Sequence, residues 1–257
     1  MQPATRFILI EPSHAGNVGA AARAMKVMGF GDLLLVRPRW PDVLTREETI
    51  QRASGADDVL AAARCVPTLD EALDGMTHLC ATVMTPRDFG PPTSTPREHF
   101  ARLLHSAPDV PQGVALLFGC ERFGMSNQDV YRCHAALSIP TAGDYGSLNL
   151  AAAVQLVAYD WRQALQARAG SENVEKNARN TKIRPENMPA DAQQLAAMLQ
   201  HWQSALTDIG FLDPAAPRKL MPRLHQLFAR AAPTHAEIHI LRGIARAMQK
   251  TAGQGDD

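Results

Sequence analysis

The chain has 257 residues, of which 46% are hydrophobic and 20% charged, a composition typical of one large globular domain or of one domain with an appendage. No apolar run approaches the roughly 20 residues of a membrane span and no signal peptide is recognisable, so we expect a cytoplasmic protein without a membrane segment. The four cysteines form no CxxC pair, which argues against a disulfide scaffold. Cys133-His134 with Cys120 upstream lacks the closely spaced ligand pairs of a structural zinc site, so no metal is expected.

The net charge is zero, but the charged residues are unevenly distributed. Residues 1–160 contain 13 Lys and Arg against 17 Asp and Glu, whereas residues 161–250 contain 13 against 7. Within residues 218–250, seven basic residues accompany a single acidic one, Glu237. This segment could face the phosphates of a nucleic acid, or it could be an ordinary solvated helix surface.

Short apolar runs alternate along the chain with segments of helical spacing. In chain order, these runs predict strands at "RFILIEP", "DLLLVRP", "HLCATVM", "GVALLFG" and "AALSIP". Helices are predicted over residues 17–29, 55–64 and 69–74, and a long one in "SLNLAAAVQLVAYDWRQAL" with Ser147 as its N-cap. Apolar strands that alternate with helices predict an α/β fold in which helices cover both faces of a parallel sheet.

The C-terminal quarter of the chain has a different pattern. A polar stretch with two prolines over residues 168–190 predicts a linker between a domain at 1–167 and a smaller unit at 191–257. Apolar residues recur at helical spacing from Leu195 to Ile209, and "THAE" matches a capping box in front of a final basic helix. The smaller unit is therefore predicted to be a helical extension.

Three glycine-bearing segments follow predicted strands, at Gly16 to Gly19, at "FGCERFGM" (118–125) and at "IPTAGDYGSLN" (139–149). In open parallel sheets, ligands bind at the carboxyl ends of the strands, so loops at these positions are predicted to converge on one pocket. The first segment reads GxxG rather than GxGxxG, and GxxxxGK[ST] is absent, which argues against a dinucleotide or P-loop nucleotide site.

Arg23 lies off the apolar stripe of the first predicted helix. It follows Asn17 by six residues, roughly 9 Å along the axis, and helical side chains lean towards the N-terminus, so its guanidinium can reach the mouth of these loops. A lone arginine could equally form a surface ion pair. Glu121 could orient Arg23 or cap a backbone turn. The polar residues Asn17, Ser147 and Asn149 could simply cap helices.

Three segments, "NVGAAARAM", "LLFGCERFGM" and "LSIPTAGDYGSLNLAAAV", resemble the three motifs of the TrmH-like (SpoU) RNA 2'-O-methyltransferases of the SPOUT superfamily. The beginning, "ILIEPSHAGNVGAAARAMKVMGF", and the end, "LHQLFARAAPTHAEIHILRGIARAM", are similar to those family members that methylate nucleotide 32 of the tRNA anticodon loop. The resemblance covers nearly the whole chain. It implies S-adenosylmethionine (SAM) as cofactor, tRNA as substrate, a homodimer, and a deep trefoil knot in the C-terminal part of the sheet domain.

The same resemblance implies roles for single residues. The expected catalytic residues are Arg23, Asn17 and Glu121. The expected SAM-binding residues are Thr82, Val83, Met84, Gly119, Ile139, Gly146, Ser147 and Leu148. The expected RNA-binding residues are Asn149, Arg87, Arg218, Lys219, Arg223, Arg242 and Arg246. Those from Arg218 onward are expected because they belong to the basic C-terminal segment. The chain departs from the family pattern at Cys120, at Met125 and in "TVMT", where the nearest basic residue is Arg87.

Methylation of a ribose 2'-hydroxyl is an in-line displacement at a sulfonium methyl group, which requires positioning of the reactants and removal of the hydroxyl proton. A guanidinium stays protonated, so we expect Arg23 to hold a phosphate and stabilise the developing 2'-alkoxide while a phosphate oxygen or water takes the proton. The alternatives are a 2'-O-methyltransferase for rRNA or another tRNA position, and a catalytically silent RNA-binding protein. The C-terminal unit argues against the short wobble-position relatives, and Arg23, Asn17 and "SLN" argue against a silent protein.

Overall fold

The computed structural model describes residues 3–105, 111–142, 146–175, 188–215 and 219–253. Seven parallel strands form one sheet. They are β1 (Ala4–Ile10), β2 (Asp32–Val36), β3 (Arg64–Val66), β4 (His78–Thr82), β5 (Thr93–Ser94), β6 (Gly113–Phe118) and β7 (Ala135–Leu137). Their order across the sheet is β3-β2-β1-β6-β4-β7-β5, so β1, β6, β4 and β7 are neighbours.

Helices connect the strands and extend beyond the last one. Those of the sheet domain are α1 (Ala15–Val27), α2 (Glu47–Ala53), α3 (Asp57–Ala62), α4 (Leu69–Ala72), α5 (Pro96–His105), α6 (Asn127–Tyr131) and α7 (Leu150–Glu175). The C-terminal helices are α8 (Ala192–Asp208), α9 (Leu220–Ala231) and α10 (His235–Ala252).

Both faces of the sheet are buried, which explains the unbroken apolar runs of its strands. Successive strand residues point to opposite faces, so Phe7 and Leu9 pack with α1 and α7, where Trp161 is fully buried. Ile8 and Ile10 pack on the other face with residues of α4 and α6. The helices therefore cover both faces of the sheet. The edge at which the strands begin and the edge at which they end stay available for other contacts.

The C-terminal helices form a small core of their own and also contact the sheet domain. Leu195, Met198 and Phe228 belong to that core. Ala192 at the start of α8 is buried against the second face of the sheet, and its N–H donates to the Met76 carbonyl (2.7 Å). Capping boxes start α8 at Asp191 and α10 at Thr234. The box predicted in "THAE" is confirmed.

The parallel α/β sheet, its covering helices and the C-terminal helices are confirmed, and all five predicted strands are present. Strands β3 and β5 and helices α2, α5 and α6 are additional elements. They are short or mostly polar, so the apolar pattern gives them no clear period. None of the described helices is both long and apolar enough to cross a membrane. The predicted trefoil knot stays a prediction.

The prediction of a loop at Gly16 to Gly19 is wrong, because both glycines lie within α1. A Cβ atom on Gly19 would lie 2.0 Å from the Thr49 carbonyl oxygen of α2. On Gly16 it would lie 2.5 Å from the Glu48 carboxylate. These glycines therefore allow α1 and α2 to pack closely. The buried Thr49 hydroxyl stabilises the contact, because its one proton lies within reach of the Val43 carbonyl (2.6 Å) and the Ala15 carbonyl (3.1 Å).

The long helix α7 differs from its prediction at both ends. It begins at Leu150, and the Asn149 side chain accepts the Ala151 N–H (2.9 Å), so Asn149 rather than Ser147 caps it. It continues to Glu175, eight residues into the segment predicted as a linker. Residues 176–187 of that segment lie outside the described ranges. The domain boundaries stay a prediction.

Candidate active site

The loops that follow β1, β6, β4 and β7 lie at one edge of the sheet, because the carboxyl ends of parallel strands lie at the same edge. Two of these loops and the first turn of α1 are joined by side-chain hydrogen bonds. The Asn17 amide donates to Glu121 Oε1 (2.8 Å), and the Asn149 amide donates to Asn17 Oδ1 (2.9 Å). One chain of hydrogen bonds thus connects the three segments singled out in the sequence.

Glu121 is the most heavily bonded member of this network. It accepts hydrogen bonds from the Ser13 N–H (2.9 Å), the Ser13 hydroxyl (2.6 Å) and the His14 N–H (3.3 Å), in addition to Asn17. Partial burial acts to raise the pKa of Glu121, but the hydrogen bonds from Asn17 and Ser13 outweigh it and lower the pKa to about 2. Glu121 is therefore a carboxylate that holds the loop in front of α1.

These contacts decide between the alternatives that the sequence left open. Glu121 binds the backbone turn at Ser13 and His14 and does not contact Arg23. Asn17 is the third residue of α1 and does not cap it; the N-cap is His14, which makes no capping hydrogen bond with its side chain. Asn17 and Glu121 thus bond to each other, and Glu121 also holds the backbone turn in front of α1.

An open cleft of about 690 Å³ adjoins the network. It is lined by His14, Gly16, Asn17, Ala20, Glu48, Arg52, Glu121, Ser147, Leu148, Asn149 and Leu150. Most of these residues are polar, and they come from four separate parts of the chain. Glu48 and Arg52 belong to α2, and no sequence pattern predicts that they line the cleft, because only the packing of α2 on α1 brings them there. Ser13 was also missed, although a serine just before a helix is a recognisable capping residue.

Arg23 is not among the residues that line the cleft. It is exposed, and it follows the lining residue Ala20 by three positions, so it lies on the same side of α1 about one turn further from the mouth. Within the described ranges, the side chains of Arg23 and Arg52 form no hydrogen bond and no ion pair. Both guanidinium groups are therefore free to bind an anion at this edge of the sheet.

The residues expected to bind SAM lie at the ends of the neighbouring strands β4, β6 and β7. Met84 contacts the loop residue Gly146, since a Cβ there would lie 3.8 Å from the Met84 sulfur and 3.0 Å from the Thr141 hydroxyl. The Thr82 hydroxyl is buried without a partner among the described residues. Ser147 and Leu148 line the cleft. A small residue beside an apolar side chain, with an unused buried hydroxyl nearby, fits an adenosine-containing cofactor.

Three other predicted members of this set have mainly structural contacts. The Val83 N–H donates to the Leu137 carbonyl (2.9 Å), and Ile139 packs half-buried against the core. Gly119 approaches the backbone of Gly124 so closely that a Cβ on it would lie 2.2 Å away. Their side chains and backbone thus shape the loops at this edge.

The predicted RNA-binding residues are dispersed. Asn149 belongs to the network above, and Lys219 and Arg223 lie over the ring of Phe89 at 3.8 and 5.9 Å. Arg242 is half-buried and Arg246 exposed on α10. Arg87 is half-buried, and its Nε has no partner among the described atoms. Arg218 lies outside the described residues.

In the described part of the chain, one group of side chains has a geometry that could hold a metal ion. His78, Cys80 and His99 place their ligand atoms within 4.8 Å of one another, at the edge where strands begin and thus opposite the cleft. Cys133, flagged in the sequence, instead donates to the Asp129 carbonyl (3.4 Å). The expected absence of a metal stays a prediction.

Comparison with known proteins identifies the family. The SpoU rRNA methylase family model matches residues 4–159, and the model of the tRNA methyltransferase TrmJ C-terminal domain matches residues 193–257. The tRNA (cytidine/uridine/adenosine-2'-O-)-methyltransferase TrmJ of Pseudomonas aeruginosa is 42% identical and covers 96% of this chain and 94% of its own length. The tRNA (cytidine/uridine-2'-O-)-methyltransferase TrmJ of Photorhabdus laumondii is 40% identical, with 96% and 97% covered.

The same relationship holds in three dimensions. The crystal structure of TrmJ from Z. mobilis ZM4 superimposes with a TM-score of 0.77 at 33% identity, over 97% of this chain and 100% of that one. The resemblance predicted from the three motifs is confirmed. This chain belongs to the SpoU family of methyltransferases and carries the C-terminal domain of its TrmJ members.

Proposed function

We propose that this protein transfers a methyl group from SAM to the ribose 2'-hydroxyl of nucleotide 32, a cytidine or uridine, in the tRNA anticodon loop. The curated relatives that match over the whole chain are named as tRNA 2'-O-methyltransferases. The observation that carries the proposal is the hydrogen-bonded chain Glu121–Asn17–Asn149, because it joins all three motif segments beside one cleft. The assignment to nucleotide 32 rests on the similarity of the two ends of the chain to family members that methylate that nucleotide.

The chemistry supplied by bound SAM is an electrophilic methyl group on a sulfonium. Thr82, Met84 and Gly146 would hold its adenosine and methionine parts, with Ser147 and Leu148 towards the cleft. Asn17 and Glu121 fix the position of α1 against the loop before α7, and therefore the distance between donor and acceptor. Such positioning can supply a large part of the rate acceleration.

Arg23 would act on the acceptor. A guanidinium keeps its charge and binds phosphate through two parallel hydrogen bonds, and the Arg23 guanidinium has no partner in the described part of the chain to give up. Bound to the phosphate next to the reacting ribose, it would stabilise the 2'-alkoxide that forms as the proton passes to a phosphate oxygen or water. Arg52, which lines the cleft and has no side-chain partner among the described residues, adds positive charge there beside the carboxylates of Glu48 and Glu121.

Two further features support the proposed partners. Val27 on α1 and Leu156 and Tyr159 on α7 are exposed apolar side chains on two helices that pack together, as expected for a homodimer contact. Arg242, Arg246 and Lys250 recur every four residues on α10 and would follow the tRNA backbone. A cytoplasmic location is proposed with the tRNA substrate.

The test is direct. Unmodified tRNA is incubated with the protein and SAM, and the methylated nucleoside and its position are determined by mass spectrometry of nuclease fragments. One 2'-O-methyl group at nucleotide 32 is expected. Methylation only at another tRNA position or in rRNA would replace the proposed substrate, and SAM binding without methylation of any RNA would overturn the proposed activity.

A further inference from the structure

A second cavity, of about 400 Å³, lies between the loop that follows β4 and helix α9. It is lined by Phe89 from the loop and by Arg223, Leu224, Gln226, Leu227 and Arg230 from α9. It shares no lining residue with the cleft, yet its loop is the one that carries Met84, five residues before Phe89. The cavity therefore belongs to the reactive edge of the sheet, and the C-terminal extension forms one of its walls.

Phe89 is presented in an unusual way. Its ring is 40% exposed, and its φ of 61° lies in the left-handed region, which is unfavourable for an aromatic residue. The loop is nevertheless fixed next to it, because the Tyr131 hydroxyl donates to the Asp88 carbonyl (3.0 Å). An exposed aromatic side chain held at a cost in backbone energy indicates a binding surface.

The charged residues that line this cavity, Arg223 and Arg230, are both positive, and Lys219 lies beside it over the Phe89 ring. Lys219 Nζ lies 3.8 Å from the ring centroid and Arg223 Cζ 5.9 Å from it. Arg223 and Arg230 also line the cavity and are exposed. Apolar walls with cations at the rim match a ligand that has an aromatic body and a negative attachment, as a nucleotide does.

Two polar atoms at this place lack partners in the described part of the chain. Gln226 Nε2, on a lining residue, is buried without a hydrogen bond, and so is Arg87 Nε, two residues before Phe89. Buried donors of this kind are costly unless a ligand accepts from them. Both are donors, so a ligand that reached them would have to offer an acceptor, such as a base carbonyl oxygen, a ring nitrogen or a phosphate oxygen.

We propose that this cavity binds one unpaired nucleotide of the RNA substrate, outside the reaction centre. Its base packs against Phe89, Leu224 and Leu227, the Gln226 side chain turns its amide towards the base edge, and Arg223 and Arg230 bind its phosphates. The proposal rests on the RNA methyltransferase function proposed above and adds to it a determinant of which RNA loop is accepted. The volume of about 400 Å³ is adequate for a single nucleotide.

The experiment compares the wild-type protein with the variants Phe89→Ala and Gln226→Leu. For each protein, the affinity for full-length tRNA in the absence of SAM and the kcat/KM of methylation are measured. The RNAs are the unmodified tRNA, a set of ligated tRNAs with one abasic nucleotide at each unpaired position of the methylated loop, and tRNAs that carry each of the four bases at the position where the abasic nucleotide weakens binding. Phe211→Ala is the control, because Phe211 is an exposed phenylalanine of the C-terminal extension that does not line the cavity.

Phe89→Ala is expected to weaken tRNA binding by roughly 10-fold, the usual order for one base stacked on an aromatic ring, with no change in SAM affinity. One abasic position should weaken binding to the wild type by a similar factor and have no effect on Phe89→Ala, while Phe211→Ala behaves as the wild type. Gln226→Leu should lose discrimination between bases at that same position.

The outcomes separate the two proposals. If the wild type methylates tRNA but Phe89→Ala and Gln226→Leu match it on every RNA, the nucleotide site is wrong and the proposed function stands. The site is also wrong if the effects of Phe89→Ala and each abasic position are additive. A wild type that binds SAM but no RNA would overturn the proposed function and the site with it.

Discussion

The two edges of the sheet treat ionisable groups in opposite ways. At the edge where strands end, Glu121 is partly buried yet its pKa is lowered to about 2, because Ser13, His14 and Asn17 all donate to it. At the edge where strands begin, burial lowers the pKa of His134, and that of His99, to about 4. One edge stabilises a charge and the other excludes one.

The difference follows from where the loops are. Long loops and the first turn of α1 meet at the first edge and offer backbone and amide donors. At the second edge the histidine rings mainly face one another, with His78 Nε2 3.0 Å from His99 Nε2 and the His78 and His134 rings 4.9 Å apart. A reaction in which negative charge develops on the substrate is therefore expected at the first edge and not at the second.

The largest effect is expected at Arg23. Arg23→Ala should lower kcat/KM by at least about 10³-fold while leaving SAM affinity nearly unchanged, because the lost interaction acts on the charge that develops in the transition state. Arg23→Lys should also fail, since an ammonium cannot form the two-pronged contact. Steady-state kinetics and calorimetric SAM titration measure both. Near-normal turnover of Arg23→Ala would refute its role.

A smaller loss is expected at the carboxylate that supports the loop. Glu121→Gln keeps the shape but removes the charge that four donors share, so kcat/KM should fall by roughly 10- to 100-fold, with a smaller change in KM for tRNA. At the opposite edge, His99→Gln should leave kcat/KM within about twofold. Equal losses in the two variants would abolish the contrast between the edges.

The two edges should also lose stability in different pH ranges. A histidine with a lowered folded pKa contributes stability that is complete above its unfolded value of 6.5 and is lost as the pH falls towards 4. For His134 this amounts to at most about 3 kcal/mol. The contribution of Glu121 is complete above pH 4.5 and is lost only as the pH falls towards 2.

Urea unfolding midpoints measured from pH 7.5 to 3 resolve these ranges. The wild type should lose stability between pH 6.5 and 4, and His134→Gln should flatten that part of the curve. Glu121→Gln should leave the loss of stability between pH 6.5 and 4.5 unchanged and flatten only the part of the curve below pH 4.5. A stability that is constant from pH 6.5 to 4.5 would mean that the histidines are not held neutral.

The smallest effect is expected far from both edges, on α10. Arg246→Ala should weaken tRNA binding only about two- to threefold and lower the slope of log Kd against log salt by about one, because it removes a single phosphate contact. Ser204→Ala on α8 serves as an uncharged control for the slope. A salt slope equal to that of the wild type would remove Arg246 from the RNA interface.

Much of the site was predictable because the residues lie at strand ends that apolar periodicity locates. Asn17, Glu121 and Asn149 lie in segments that follow such strands, and their meeting follows from the parallel order of the strands, whereas their roles were implied by the family resemblance. Their partners were not predictable. Whether Glu121 bonds to Arg23 or to the turn at Ser13 depends on distances of a few ångströms, which no periodic pattern contains.

The sequence by itself determined the parallel sheet, the covering helices and the C-terminal helical extension, because burial of apolar residues imposes periods of two and of about 3.6 on the chain. Only the tertiary structure decided that Gly16 and Gly19 serve the contact of two helices, that Arg52 reaches the cleft, and that Phe89 meets α9. Such contacts join residues far apart in the chain, and their energies depend on packing geometry rather than on residue type.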